Sequence, residues 1–125
     1  MMEDIRNRND ISAFVDLFYD KVRLDTKLGP VFSGAITGDW QPHLDKMYSF
    51  WDSVLFGVAG FSGNPFAKHV PLAIGQEHFD QWLVLFDETI DSLFFGPVAS
   101  EAKNRARLIA KIFVSRLDGM QGKRI

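Results

Sequence analysis

The sequence predicts an all-α fold, and three observations carry that prediction. Apolar residues recur with the 3.6-residue helical period in several separate segments. No segment shows the apolar/polar alternation of a half-buried strand. Gly29-Pro30, Asn64-Pro65 and Gly96-Pro97 fall between the periodic segments, where chain-breaking pairs belong.

The elements follow in order. Asp10 is placed to cap a helix whose apolar set is Ile11, Phe14, Val15, Phe18 and Val22. Gly29-Pro30 ends that segment or the short helical turn after it. Asp39 is the next cap, with Trp40 and Pro42 in the first turn, where proline is tolerated. Leu44, Met47, Phe50, Trp51, Val54, Leu55 and Val58 then mark the buried stripe of a long helix. Asn64 and Pro65 start a helix that Pro71 limits to about six residues, because proline disfavours helical geometry at Val70. So short a helix is not stable from propensity alone and needs packing or a ligand to hold it. Gly75 opens the next helix, with Phe79, Trp82, Leu83, Phe86, Ile90 and Leu93 along one side. Ser100 is the expected cap of the last, whose apolar set is Ala102, Ala106, Ile109, Ala110, Phe113, Val114 and Leu117, before Gly119 and a polar tail.

The length of 125 residues suits one domain spanning 1–125. Fourteen Lys and Arg against sixteen Asp and Glu leave a formal net charge of -2 without a block of like charge, so the basic stripe of a nucleic-acid binder is missing. No apolar run reaches the roughly 18 residues of a membrane span. The polar start Met1–Asp10 lacks the apolar core of a signal peptide, and a cytoplasmic location is expected. With no cysteine, the chain has no disulfide, no iron–sulfur ligand, no thiolate nucleophile and no covalent haem attachment through Cys-x-x-Cys-His. The excess is aromatic: 12 Phe, 3 Trp and 2 Tyr either fill a ring-rich core or surround a large, flat, apolar ligand.

Chemistry is therefore left to a few polar groups. His69 ends the short helix, where unpaired carbonyls can take one ring N–H and strengthen the other nitrogen as a metal donor. The same position also suits a simple pairing with the helix dipole. His43, one turn before Met47, either gates a ligand or marks the edge of the apolar face. His78, in the first turn of its helix, reads as a solvated surface histidine. No two histidines have the three- or four-residue spacing of ligands on one helical face, which argues against a zinc site. Gly-x-Ser-x-Gly, P-loop and dinucleotide patterns are also missing. A ring-rich helical domain with one constrained histidine suits haem.

The order of motifs is more specific. Phe18-Tyr19, Leu28-Gly29-Pro30-Val31-Phe32, His43-x-x-x-Met47, Phe50-Trp51, Gly63-Asn64-Pro65, His69-x-Pro-Leu72 and Trp82-Leu83 follow one another in a pattern that resembles the truncated haemoglobins, most nearly group III. The resemblance runs from about residue 10 to residue 117. It implies a two-over-two helical sandwich around haem b, with His69 as the iron ligand. It implies Tyr19 and Trp82 as distal donors, His43 as the residue that lines or gates the pocket, and Phe32 as the wedge against the macrocycle. Met47, Phe50 and Trp51 would form the distal lining, and Ile74 with Ala73 an aliphatic proximal side. Lys46, Lys68 and Arg107 are candidates for the haem propionates.

A histidine-ligated haem leaves one iron position open for O2, NO or CO. Two donors facing that position favour holding O2 over delivering it. The expected function is reversible binding of diatomic ligands, extended to NO dioxygenation or peroxide chemistry when an unidentified reductase supplies electrons. The alternatives are an oxygen carrier or sequestering protein without turnover, and a haem-free globin-like interaction module.

Overall fold

The computed structural model describes residues 2–36, 38–58 and 75–121, and all regular structure among them is helical. In chain order the helices are α1 (Arg8–Leu24), α2 (Gly29–Ala35), α3 (Gln41–Phe56), α4 (Gln76–Leu93) and α5 (Pro97–Gln121). The short helix expected after Asn64 lies outside the described residues, as do His69 and Ile74. Among the described residues, no helix is long and apolar enough to cross a membrane.

Helix α1 starts one turn earlier than expected. Asn7, not Asp10, is its cap: the Asn7 side chain accepts the Asp10 N–H at 3.1 Å, and the Asn7 carbonyl accepts that of Ile11. Asn and Asp are equally good caps, and here Asp10 is used differently, accepting the Arg6 N–H at 2.9 Å. The apolar stripe is buried as the period predicts, with Tyr19 added to it.

Gly29-Pro30 opens α2 instead of ending an element. Asp25 organises the turn before it by accepting the Lys27 and Leu28 N–H groups at 2.9 and 2.8 Å. Gly29 is required there, since a Cβ would stand 2.7 Å from the Arg23 carbonyl oxygen. At α3, Asp39 accepts the Gln41 N–H at 3.0 Å while Trp40 takes the cap position. The helix closes at Gly57, so Val58 falls beyond it and is exposed.

The start of α5 also departs from expectation. It begins at Pro97, and its cap comes from the other end of the chain. Asp4 accepts the Val98 and Ala99 N–H groups at 2.9 and 2.8 Å, and the Ile5 N–H at 2.8 Å. Gly96, at φ 150°, makes room for it, because a Cβ there would lie 2.5 Å from the Asp4 side chain. Helix α5 then continues through Gly119 to Gln121.

The four long helices form a closed circuit of contacts: α1 packs on α3 and α4, α5 packs on α4 and α3, and α2 packs on α1. Phe14 of α1, Trp51 of α3 and Phe86 of α4 meet at its centre, with ring centroids 5.2–5.8 Å apart. Phe79 of α4 stacks on Phe113 of α5 at 5.8 Å in a second, smaller cluster. Asp52, buried on α3, is paired with Arg8 of α1 at 3.0 Å.

Partial burial alone would raise the Asp4 pKa, but three backbone donors outweigh it and hold the carboxyl below its usual range. The folded pKa is therefore lower than the unfolded one, so the stabilisation is present above about pH 4 and fades as pH falls through the folded value. Asp4→Ala is expected to cost about 1–2 kcal/mol at pH 7, and Ser100→Ala less than about 0.5 kcal/mol. Urea unfolding of both variants at pH 7 and near pH 3 checks this: the Asp4 penalty should shrink at the lower pH.

Candidate functional site

The candidate site forms where the carboxyl end of α1, the short α2 and the first turn of α3 converge. Tyr19 sits at the centre, 6% exposed. Its ring meets Phe32 at 6.2 Å, Trp40 at 6.1 Å and His43 at 5.1 Å, the last edge-on at 85°. Burial pushes the Tyr19 phenol far above its ordinary pKa, so the group remains a neutral O–H donor. His43 is half-buried and also meets the Trp40 ring at 6.0 Å and 90°.

Trp82 approaches from α4. Its indole stacks on Phe86 at 5.8 Å and takes an edge contact from Phe18 at 5.5 Å. Phe18 also touches Tyr19 at 5.0 Å, so the two expected donors both contact one phenylalanine. Gln81, beside Trp82, donates to Asp25 at 2.7 Å and ties α4 to the turn after α1. Partial burial would raise the Asp25 pKa, but the donors Leu28, Gln81 and Lys27, with the Lys27 charge, bring it below the usual range.

Helix α3 uses its apolar residues in two ways. Trp51 is 5% exposed and stacked on Phe86 at 5.2 Å, inside the core. His43, Met47 and Phe50, spaced i, i+4 and i+7 along one face, are only half-buried. Phe50 touches Trp51 at 5.5 Å and so backs onto the core while retaining exposed surface. Of the sixteen residues of α3, only Trp51 and Asp52 are buried.

A half-buried apolar stripe beside a buried phenol and an indole fits a flat apolar group carrying a small polar ligand. It does not fit a hydrated metal ion, and no cluster of His, Cys, Asp or Glu among the described residues could hold one. A haem needs one strong protein donor, an apolar surface and a few neutral hydrogen-bond donors. The described residues supply the surface and the donors; the donor expected for iron, His69, lies outside them, as does Ile74. Arg107, a candidate propionate partner, is paired with Asp87 at 2.6 Å.

Two residues of the cluster were not singled out from the sequence. Trp40 was read only as part of a helix start, yet it contacts both Tyr19 and His43. Arg23 lies over the Trp40 ring at 4.1 Å. Spacing held the signal: Trp40 is three residues before His43, and Arg23 is four after Tyr19, so each shares a helical face with its partner. His78 is also not the solvated residue expected. Its Nδ1 accepts the Gly75 N–H at 3.0 Å, capping the start of α4, and its side chain is 18% exposed.

Comparison with known proteins agrees with this architecture. The bacterial-like globin family profile matches residues 1–114. The chain is 36% identical over 115 residues to Group 3 truncated hemoglobin ctb of Campylobacter jejuni, covering 89% of this chain and 91% of that protein. The crystal structure of group III truncated hemoglobin from Campylobacter jejuni superposes with a TM-score of 0.85, covering 94% of this chain and 95% of that one at 36% identity. The truncated oxygen-avid haemoglobin from Bacillus subtilis shares the fold, with a TM-score of 0.73 at 24% identity over 86% of this chain and 93% of that one. Matched by family profile, sequence and fold, this all-α chain belongs to the bacterial-like globins, as a truncated haemoglobin most like group III.

Proposed function

We propose that this globin binds haem b through His69 and retains O2 at the iron instead of releasing it readily. The observation that carries this reading is Tyr19: a buried phenol, edge-on to His43 at 5.1 Å, that burial keeps protonated. When bound, haem supplies an iron with one coordination position open to a diatomic ligand such as O2, NO or CO.

The chain's own residues would do the rest. Tyr19 would donate a hydrogen bond from its Oη–H to the ligand, and Trp82 one from its indole N–H as the second, neutral donor. Met47 and Phe50 keep water from that side, with Trp51 behind them in the core. Phe32 packs against Tyr19, and Ile74, outside the described residues, would offer an aliphatic side chain to the haem. His43 contacts Tyr19 directly, so its position affects both donor alignment and ligand access.

Retention of O2 suits turnover more than transport. The reactions that fit are NO dioxygenation and peroxide reduction, each needing electrons from a separate reductase. A cytoplasmic location would give such a protein its reductant.

Each donor is expected to slow O2 loss by about tenfold, given roughly 1–3 kcal/mol for a hydrogen bond to a charged acceptor and 1.4 kcal/mol per decade. Stopped-flow O2 dissociation from Tyr19→Phe and Trp82→Phe should therefore be faster than from wild type, and unchanged rates in both would sink the donor account. NO consumption under O2 with a chemical reductant then separates turnover from simple sequestration. Since ionisation would remove the Tyr19 proton and burial raises the pKa, the wild-type O2 off-rate should stay flat between about pH 8 and 10, the range over which an ordinary phenol becomes about half ionised. An off-rate that climbs toward the upper end of that range would show an ionising donor.

A further inference from the structure

We infer that Trp40 is a wall residue of the distal cluster and that Arg23 positions it, the pair setting how readily His43 moves aside for an entering diatomic ligand. This rests on the haem-binding reading above.

Tyr19, His43 and Trp40 form a triangle of ring contacts at 5.1, 6.0 and 6.1 Å. Burial falls along the chain of contacts: Tyr19 is buried, His43 and Trp40 are half-buried, and Arg23 is exposed. The Arg23 guanidinium lies 4.1 Å from the Trp40 ring centroid and makes no ion pair with any described residue, so the indole is its main described contact. A planar, weakly hydrated guanidinium suits that stacking better than an ammonium does.

The arrangement closes on itself. Tyr19 and Arg23 share one face of α1, while Trp40 and His43 share one face at the start of α3. His43 is the inner link: its ring meets the indole edge-on at 6.0 Å, so its position is coupled to the ring on which Arg23 stacks. Helix α3 does not need the Trp40 side chain in order to start, because Asp39 caps the Gln41 N–H and Pro42 fixes the first turn. The ring is thus available for positioning His43.

The test uses the haem-loaded, reduced protein and CO, a neutral probe whose entry is insensitive to surface charge. Flash photolysis of the carbonyl complex should show CO association faster by about three- to tenfold in Arg23→Gln and Trp40→Leu, the range a cation–π contact supports. Arg23→Lys should fall between these and wild type, and Lys111→Gln, which removes an exposed cation of α5, should leave the rate unchanged. The infrared CO stretching bands should redistribute in Arg23→Gln and Trp40→Leu, because the ligand then meets a differently placed His43. Arg23 is a surface residue, so its variants remain informative even if Trp40→Leu folds poorly. Wild-type association rates and bands in Arg23→Gln would overturn the positioning role while leaving haem binding intact. A wild-type protein that forms no carbonyl complex would instead remove the haem reading, and this inference with it.

Discussion

Among the described residues Phe86 contacts four other rings, and the geometry of the candidate site depends on that packing. Trp51 and Trp82 lie nearly parallel to it at 5.2 and 5.8 Å, while Phe14 and Phe18 meet it edge-on at 5.8 and 5.3 Å. These rings come from α1, α3 and α4, so a single side chain fixes the spacing of the three helices that carry the expected distal residues. Each such ring pair contributes about 0.5–1.5 kcal/mol beyond the area it buries. Their directional preference matters as much, because it sets the angle at which Trp82 and Phe18 are presented. Tyr19 inherits its position from Phe18, the next residue on α1 and its edge contact at 5.0 Å.

Around that fixed centre, α3 divides its apolar residues between structure and site. Trp51 completes the core, whereas His43, Met47 and Phe50 keep exposed surface on the adjoining face. Hydrophobic burial alone would favour covering that face. A bound flat apolar group would cover it, and the polar groups nearby are neutral donors suited to a small ligand. Burial of Tyr19 serves the same end, because it raises the phenol pKa and keeps the O–H available to donate well above the range of an ordinary tyrosine.

How much of this the sequence revealed depended on whether the decisive contact was local. The stripe from Ile11 to Val22 could be read directly, since burial on α1 follows the helical period. Gly75 was legible as a helix start for the same reason. The cap of α5 was not, because Asp4 lies more than ninety residues from the N–H groups it satisfies, and Ser100 was the best local substitute. Phe50 and Trp51 are adjacent aromatics, and only tertiary packing decides that one is half-exposed and the other buried. The candidate site was legible through a motif order resembling a family, which named Tyr19, His43 and Trp82. That resemblance passed over Trp40 and Arg23, whose roles arise from the meeting of α1 with α3.

The central claim is that the half-buried face of α3 and the Tyr19 cluster form one wall of a haem pocket completed by His69. The most direct measurement is the absorption spectrum of the protein, loaded with one equivalent of haemin, reduced and placed under CO, beside the same preparation of His69→Gly with and without added imidazole. A sharp carbonyl Soret band that is lost in His69→Gly and restored by imidazole is the expected result. A spectrum indistinguishable from free haem, or one that His69→Gly leaves unchanged, would contradict the account.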